Sequence, residues 1–127
     1  PGGTGPILGP EYTFEDEMPT EYGLNQNYPN PFNPLTIISY SLVDPSMVTL
    51  KVYNTLGQEV ATLLNNQLVE EGKQEIKFDA SQLTSGVYFY RLLATPIVTE
   101  VDEDEEGQTS SVQKQTFVSV KKMLLLK

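Results

Sequence analysis

Apolar and polar positions alternate with a period of two through most of the chain, the pattern of strands buried on one face. Thr36–Leu42 (TIISYSL) places Ile38, Tyr40 and Leu42 on one side. Val48–Tyr53 (VTLKVY) turns Val48, Leu50 and Val52 inward and Thr49 and Lys51 outward. Glu59–Leu64 and Lys73–Phe78 predict a third and a fourth strand, the latter carrying Ile76 and Phe78. Gly86–Thr95 (GVYFYRLLAT) is the longest β-prone run, with Val87, Phe89 and Leu93 on one face and Tyr88, Tyr90 and Leu92 on the other. Apolar residues on both faces predict a central strand. Val112–Val120 and Lys121–Leu126 predict one bent strand or two short ones.

The connections read as turns. Asp44–Pro45–Ser46 is one, and Asn54–Gln58 (NTLGQ) is another, with Gly57 available for positive φ. Asn65–Gly72 reads as a polar loop, and Asp79–Leu83 (DASQL) as a short helical turn capped by Asp79. Short strands, closely spaced turns and no amphipathic helix predict an all-β fold. The architecture expected is an immunoglobulin-like β-sandwich of about seven antiparallel strands.

Two segments precede the strands. Pro1–Gly23 is rich in Gly and Pro, then acidic, and has too little apolar surface to offset its ordering entropy. It reads as a linker from a preceding domain, with Tyr12, Phe14 and Met18 as the residues able to dock on the domain at 24–127. The chain opens at Pro1 with no methionine and no charged–apolar–small leader, so it reads as a piece of a larger protein. Leu24–Pro34 (LNQNYPNPFNP) is turn chemistry, because asparagine side chains mimic backbone turns and each proline fixes its own φ and restricts its predecessor. Tyr28 and Phe32 are the expected anchors of this arm. Its asparagines interrupt the repeat that a polyproline ligand needs.

Composition changes this picture by exclusion. No cysteine is present, so disulfides and thiolate metal sites are ruled out, and no histidine, which removes the usual general base and the commonest zinc ligand. No apolar run approaches the roughly 18 residues of a membrane-spanning helix, and no membrane insertion is expected. The net charge of −9 is unevenly placed: Pro1–Gly23 holds five acids and no base, and Glu100–Glu106 holds six more acids. The remaining six acids face all eight basic residues, so the folded body is slightly basic and nucleic acid is not an expected partner.

Candidate chemistry is sparse. Ser85 has no histidine to activate it, so Gly86 reads as the tight lead into a strand, and no enzyme activity or cofactor is expected. Paired carboxylates of the glycosidase kind fail because the acids cluster in the tail and loop. Asp102, Asp104 and Glu106 fall at alternating positions of a calcium loop, with Gly107 at the turn, but its twelfth position is Gln113 and its flanks read as strands. A solvated loop tip fits better. Lys121–Lys127 (KKMLLLK) carries two readings: Met123, Leu124 and Leu126 complete the core, or the segment is read by a partner through strand addition.

Taken in order, Leu24–Pro34, Thr36–Tyr40, Val52–Val60 (VYNTLGQEV), Phe78–Arg91 (FDASQLTSGVYFYR) and Lys122–Lys127 resemble the type A C-terminal sorting domain of the type IX secretion system. The resemblance implies a seven-stranded immunoglobulin-like sandwich that directs covalently attached upstream cargo from the periplasm to the cell surface or beyond. It implies recognition by an outer-membrane translocon and cleavage by a surface sortase. The family's opening box maps to Asn27, Tyr28, Pro29, Asn30, Pro31, Phe32, Asn33 and Pro34, its middle turn to Gly57 with Asn54 and Leu56, and its next box to Ser85, Gly86, Val87 and Tyr88. Its terminal box, the expected recognition segment, maps to Lys122, Met123, Leu124, Leu125, Leu126 and Lys127, preceded by Lys121. The long acidic hairpin at 96–115 departs from the family pattern. A retained immunoglobulin-like stalk or adhesion module is the alternative function. For the loop, titration of excess calcium into the chain is expected to release no heat; a binding isotherm, even a millimolar one, would reverse that reading.

Overall fold

Alternation does build the strands. The computed structural model describes residues 18–97, 99–103 and 109–127, which form β1 (Gly23–Leu24), β2 (Leu35–Leu42), β3 (Ser46–Tyr53), β4 (Glu59–Val69), β5 (Gly72–Asp79), β6 (Gly86–Pro96), β7 (Thr99–Glu103), β8 (Thr109–Gln113) and β9 (Phe117–Leu125). Seven of them make two antiparallel sheets, ordered β1-β2-β5 and β4-β3-β6-β9, while β7 and β8 pair with each other as a hairpin. Thr36, Ile38, Tyr40 and Leu42 of β2 face Val48, Leu50 and Val52 of β3, Tyr90 and Leu92 of β6, and Met123 and Leu125 of β9, all of them buried. The result is the predicted immunoglobulin-like sandwich, with its core between the sheets.

β6 is central, paired with β3 along one side and β9 along the other. Its first turn carries the feature that fixes the corner of such folds: the Tyr88 hydroxyl donates to Thr84 O at 2.6 Å, four residues upstream. This is the tyrosine corner, and it ties the β5–β6 connection to the central strand. Gly86 just before it has φ +154°, which side chains rarely adopt.

Three local expectations are corrected. Asn65–Gly72 is not a loop, because β4 runs on to Val69 and only Glu70–Glu71 turn. β4 lies at a sheet edge, where polar Asn65, Asn66 and Gln67 are tolerated; Asn66 takes φ 50° and its N–H donates to Thr49 Oγ1 at 2.9 Å. Asp79–Leu83 forms no helix. The Ser81 N–H donates to Asp79 Oδ1 at 2.9 Å and the Leu83 N–H to Ala80 O at 3.0 Å, so the aspartate closes a turn on itself. The break in the last run falls at 114–116, not at Val120–Lys121, and β9 passes through both lysines unbroken because they point to opposite faces.

The chain joins the body ahead of the arm. Tyr22 stacks on Phe117 with ring centroids 5.8 Å apart, and its hydroxyl donates to Asp44 Oδ2 at 3.2 Å. Tyr12, Phe14 and the calcium-like residues 104–107 lie outside the described residues. Tyr88→Phe leaves the Thr84 carbonyl without its hydroxyl partner and is expected to destabilise by about 1–3 kcal/mol. Urea unfolding should show this as a lowered midpoint at unchanged slope.

Candidate terminal-strand recognition site

The terminal strand is an edge strand, and the opening box lies against it. In β9, Met123 and Leu125 point into the core, while Val118, Val120, Lys122 and Leu124 point to the outer face of the sheet. The backbone groups of 122, 124 and 126 turn away from β6 toward the free edge, and the arm meets them there. Gln26 Nε2 donates to Lys122 O at 2.7 Å, the Leu124 N–H to Asn30 Oδ1 at 2.9 Å, the Phe32 N–H to Leu124 O at 3.0 Å and the Leu126 N–H to Phe32 O at 3.0 Å. Phe32 and Leu125 form a parallel bridge. The last residue is tied to the next box, since the Lys127 N–H donates to Ser85 Oγ at 2.9 Å and its Nζ to Ser81 O at 2.7 Å.

Buried polar groups hold the arm. Asn27 sits inside the fold, its Nδ2 donating to Thr36 Oγ1 at 2.9 Å and to Pro29 O at 3.1 Å, while Thr36 Oγ1 donates to Pro29 O at 2.9 Å. The Tyr90 hydroxyl donates to Asn25 O at 2.6 Å and accepts from the Asn27 N–H at 2.8 Å. Phe32 is buried and lies 6.3 Å from Phe78, centroid to centroid. The peptide bonds before Pro29, Pro31 and Pro34 are cis. Tyr28 is no anchor: its ring is 78% exposed, and only its backbone docks, exchanging two hydrogen bonds with Ile37. Asn33 is exposed as well.

The remaining motif residues are placed separately. Asn54 Oδ1 accepts from the Leu56 and Gln58 N–H groups at 2.9 and 3.0 Å, shaping a turn that Gly57 closes at φ +81°. This turn and the corner at Ser85–Tyr88 line one open hollow of about 430 Å³. A smaller, apolar hollow of about 250 Å³ lies between Asn30, Pro31, Val87, Lys122 and Leu124, where arm and terminal strand meet. Opening box, next box and terminal box are thus brought together, and the middle turn lies beside the second of these. Among the described residues no cluster of three or more acidic side chains could hold a metal ion. Tyr90 and Gln26 escaped the sequence reading, since nothing in a β-prone run reveals which tyrosine hydroxyl will meet a buried backbone.

Burial pushes the Tyr90 hydroxyl up to about 12, against the Asn27 N–H, which favours the ionised form; burial also raises Tyr40. Because folding raises the value above the ordinary 10.0, the neutral phenol's contribution is complete below about pH 10 and is lost as pH climbs through 12. Tyr90→Phe strands Asn25 O and Asn27 N and is expected to cost about 2–3 kcal/mol at neutral pH. It should also flatten the alkaline fall in the urea midpoint between pH 10 and 12, leaving the share that belongs to Tyr40.

Comparison with known families gives a match to the secretion system C-terminal sorting domain over residues 26–100, more than half of the chain. The match takes in the arm, the middle turn and the tyrosine corner, and ends inside the hairpin; β9 lies beyond it. No curated protein and no solved structure matches the chain. The chain belongs to the family of type IX secretion C-terminal sorting domains.

Proposed function

We propose that this chain is the address by which its cargo crosses the outer membrane, read by the translocon and then removed by a surface sortase. The family match carries the reading. A sorting domain of this family implies export to the cell surface through the type IX machinery, and the family is one of signals, not of enzymes. Ser85 Oγ accepts from the Lys127 N–H at 2.9 Å, so this serine joins the terminal segment to the corner of the fold.

Terminal recognition is a proposal of finer grain. The segment Lys121–Lys127 serves both structure and display, with Met123 and Leu125 in the core and Lys122, Leu126 and Lys127 exposed. Removing all seven residues would therefore remove core as well as signal. In a host with type IX machinery, a periplasmic reporter fused to the whole chain is expected outside the cells. The form lacking Lys121–Lys127 is expected to stay in the periplasm. C-terminal sequencing of the exported product should find the domain gone; finding it intact would favour the retained stalk.

A further inference from the structure

Every sheet edge leaves backbone donors and acceptors unpaired, and folded proteins blunt such edges with charge, bulges or brevity. Three of the four edges of the two sandwich sheets are treated in that way. β1 has only two residues. β5 displays Lys73, Glu75 and Lys77. β4 is broken by register shifts against β3 and carries a run of polar side chains.

β9 is different. Its register against β6 is regular throughout, from Phe117 opposite Ala94 to Leu125 opposite Gly86. Because outward-turned groups alternate along an antiparallel strand, the pattern set at 122, 124 and 126 extends to 118 and 120. The arm covers the edge from the Lys122 carbonyl onward. The N–H and C=O groups of Val118 and Val120 find no hydrogen-bond partner among the described residues. Their side chains are 53% and 52% exposed. Among the described residues this flat, valine-bearing stretch has no strand paired to it, although β1 runs close by.

The charged side chains of β9 itself are both basic. Lys121 and Lys122 follow directly and make no ion pair among the described residues, whose ion pairs are Lys51–Glu59 and Lys114–Asp44. Arg91, across from Val120, lies over the Tyr53 ring at 5.3 Å and likewise makes no ion pair among the described residues. Phe89 and Leu93 complete the outer face on either side of Arg91.

We infer that the open edge at Val118–Val120, and not the arm-covered edge at Lys122–Leu126, is where the secretion machinery adds a strand. The occupant is an extended protein segment that pairs with the Val118 and Val120 backbone, sets β-branched or small side chains beside the valines and places acidic side chains against Lys121 and Lys122. Backbone pairing gives the affinity and the lysines select by charge. This rests on the reading of the chain as an export address and names the surface through which that address is read.

The test compares whole-chain reporter fusions in a host with type IX machinery, each checked for folding by its melting temperature. V118P/V120P deletes only outward N–H groups, a change edge strands accept, and is expected to lower export at least about tenfold through the lost pairing. V118T/V120T keeps the backbone donors and is expected to export as the unaltered chain does. Where the proline pair melts too low to judge, K122E, on an exposed side chain, is expected to lower export several-fold. Undiminished export of a folded V118P/V120P overturns the inference, as does undiminished export of K122E or equal loss in V118T/V120T. A chain that sediments as a dimer dissolved by the proline pair overturns it too, since the occupant would then be a second copy. If the unaltered fusion is not exported, the address reading itself fails and takes the edge with it.

Discussion

The phenol of Tyr90 lies wholly inside the sandwich, where a hydroxyl lacking partners would cost on the order of 1–3 kcal/mol. It is satisfied by the main chain of the arm, through Asn25 O and the Asn27 N–H, 65 and 63 residues away in sequence. That link is what makes an irregular, proline-studded segment part of the fold. Once Asn25 and Asn27 are fixed, Asn27 Nδ2 reaches Thr36 and Pro29, and the following residues are delivered to the free edge of β9. The covered part of the terminal strand is therefore set by a core tyrosine on the neighbouring strand.

The strands were legible because burial on one face imposes a period of two, and Ile38, Tyr40, Leu42, Val48, Leu50 and Val52 obey it strictly. The central place of β6 was legible from apolar residues on both faces. What misled was polarity at an edge: Asn65–Asn66–Gln67 needs no apolar partner where β4 has no neighbour beyond it, so composition alone resembles a loop. The arm was legible as turn chemistry, yet its anchors were not. Tyr28 looked like an anchor by size, but Asn27 is buried instead, because its amide can satisfy several backbone and hydroxyl groups at once and a phenol at 28 would meet none. Pairing between residues some ninety positions apart, such as Asn30 with Leu124, leaves no local periodicity to read.

Along the sequence the acids concentrate in Pro1–Gly23 and Glu100–Glu106, and the rest of the chain holds a slight excess of basic residues. Lys121, Lys122 and Lys127 concentrate that excess on the terminal strand, beside Arg91 on its neighbour. The net charge of −9 favours solubility of the whole chain, while the charged side chains of β9 itself are basic. At physiological ionic strength the screening length is about 8 Å, so a partner pressed against β9 senses the lysines and not the net charge.

A signal read at β9 is conditional on folding. The groups that build the core of β9, Met123 and Leu125, alternate with those that face outward, so a single strand carries both duties by parity alone. An unfolded chain presents KKMLLLK as a flexible, basic and apolar tail, with no fixed edge and no fixed spacing between lysines and valines. In the folded chain the arm occupies the last part of that edge and leaves Val118–Val120 exposed at a defined distance from Lys122. A receptor that pairs with this edge would therefore discriminate folded from unfolded cargo tails by backbone geometry, the property that no short linear motif supplies.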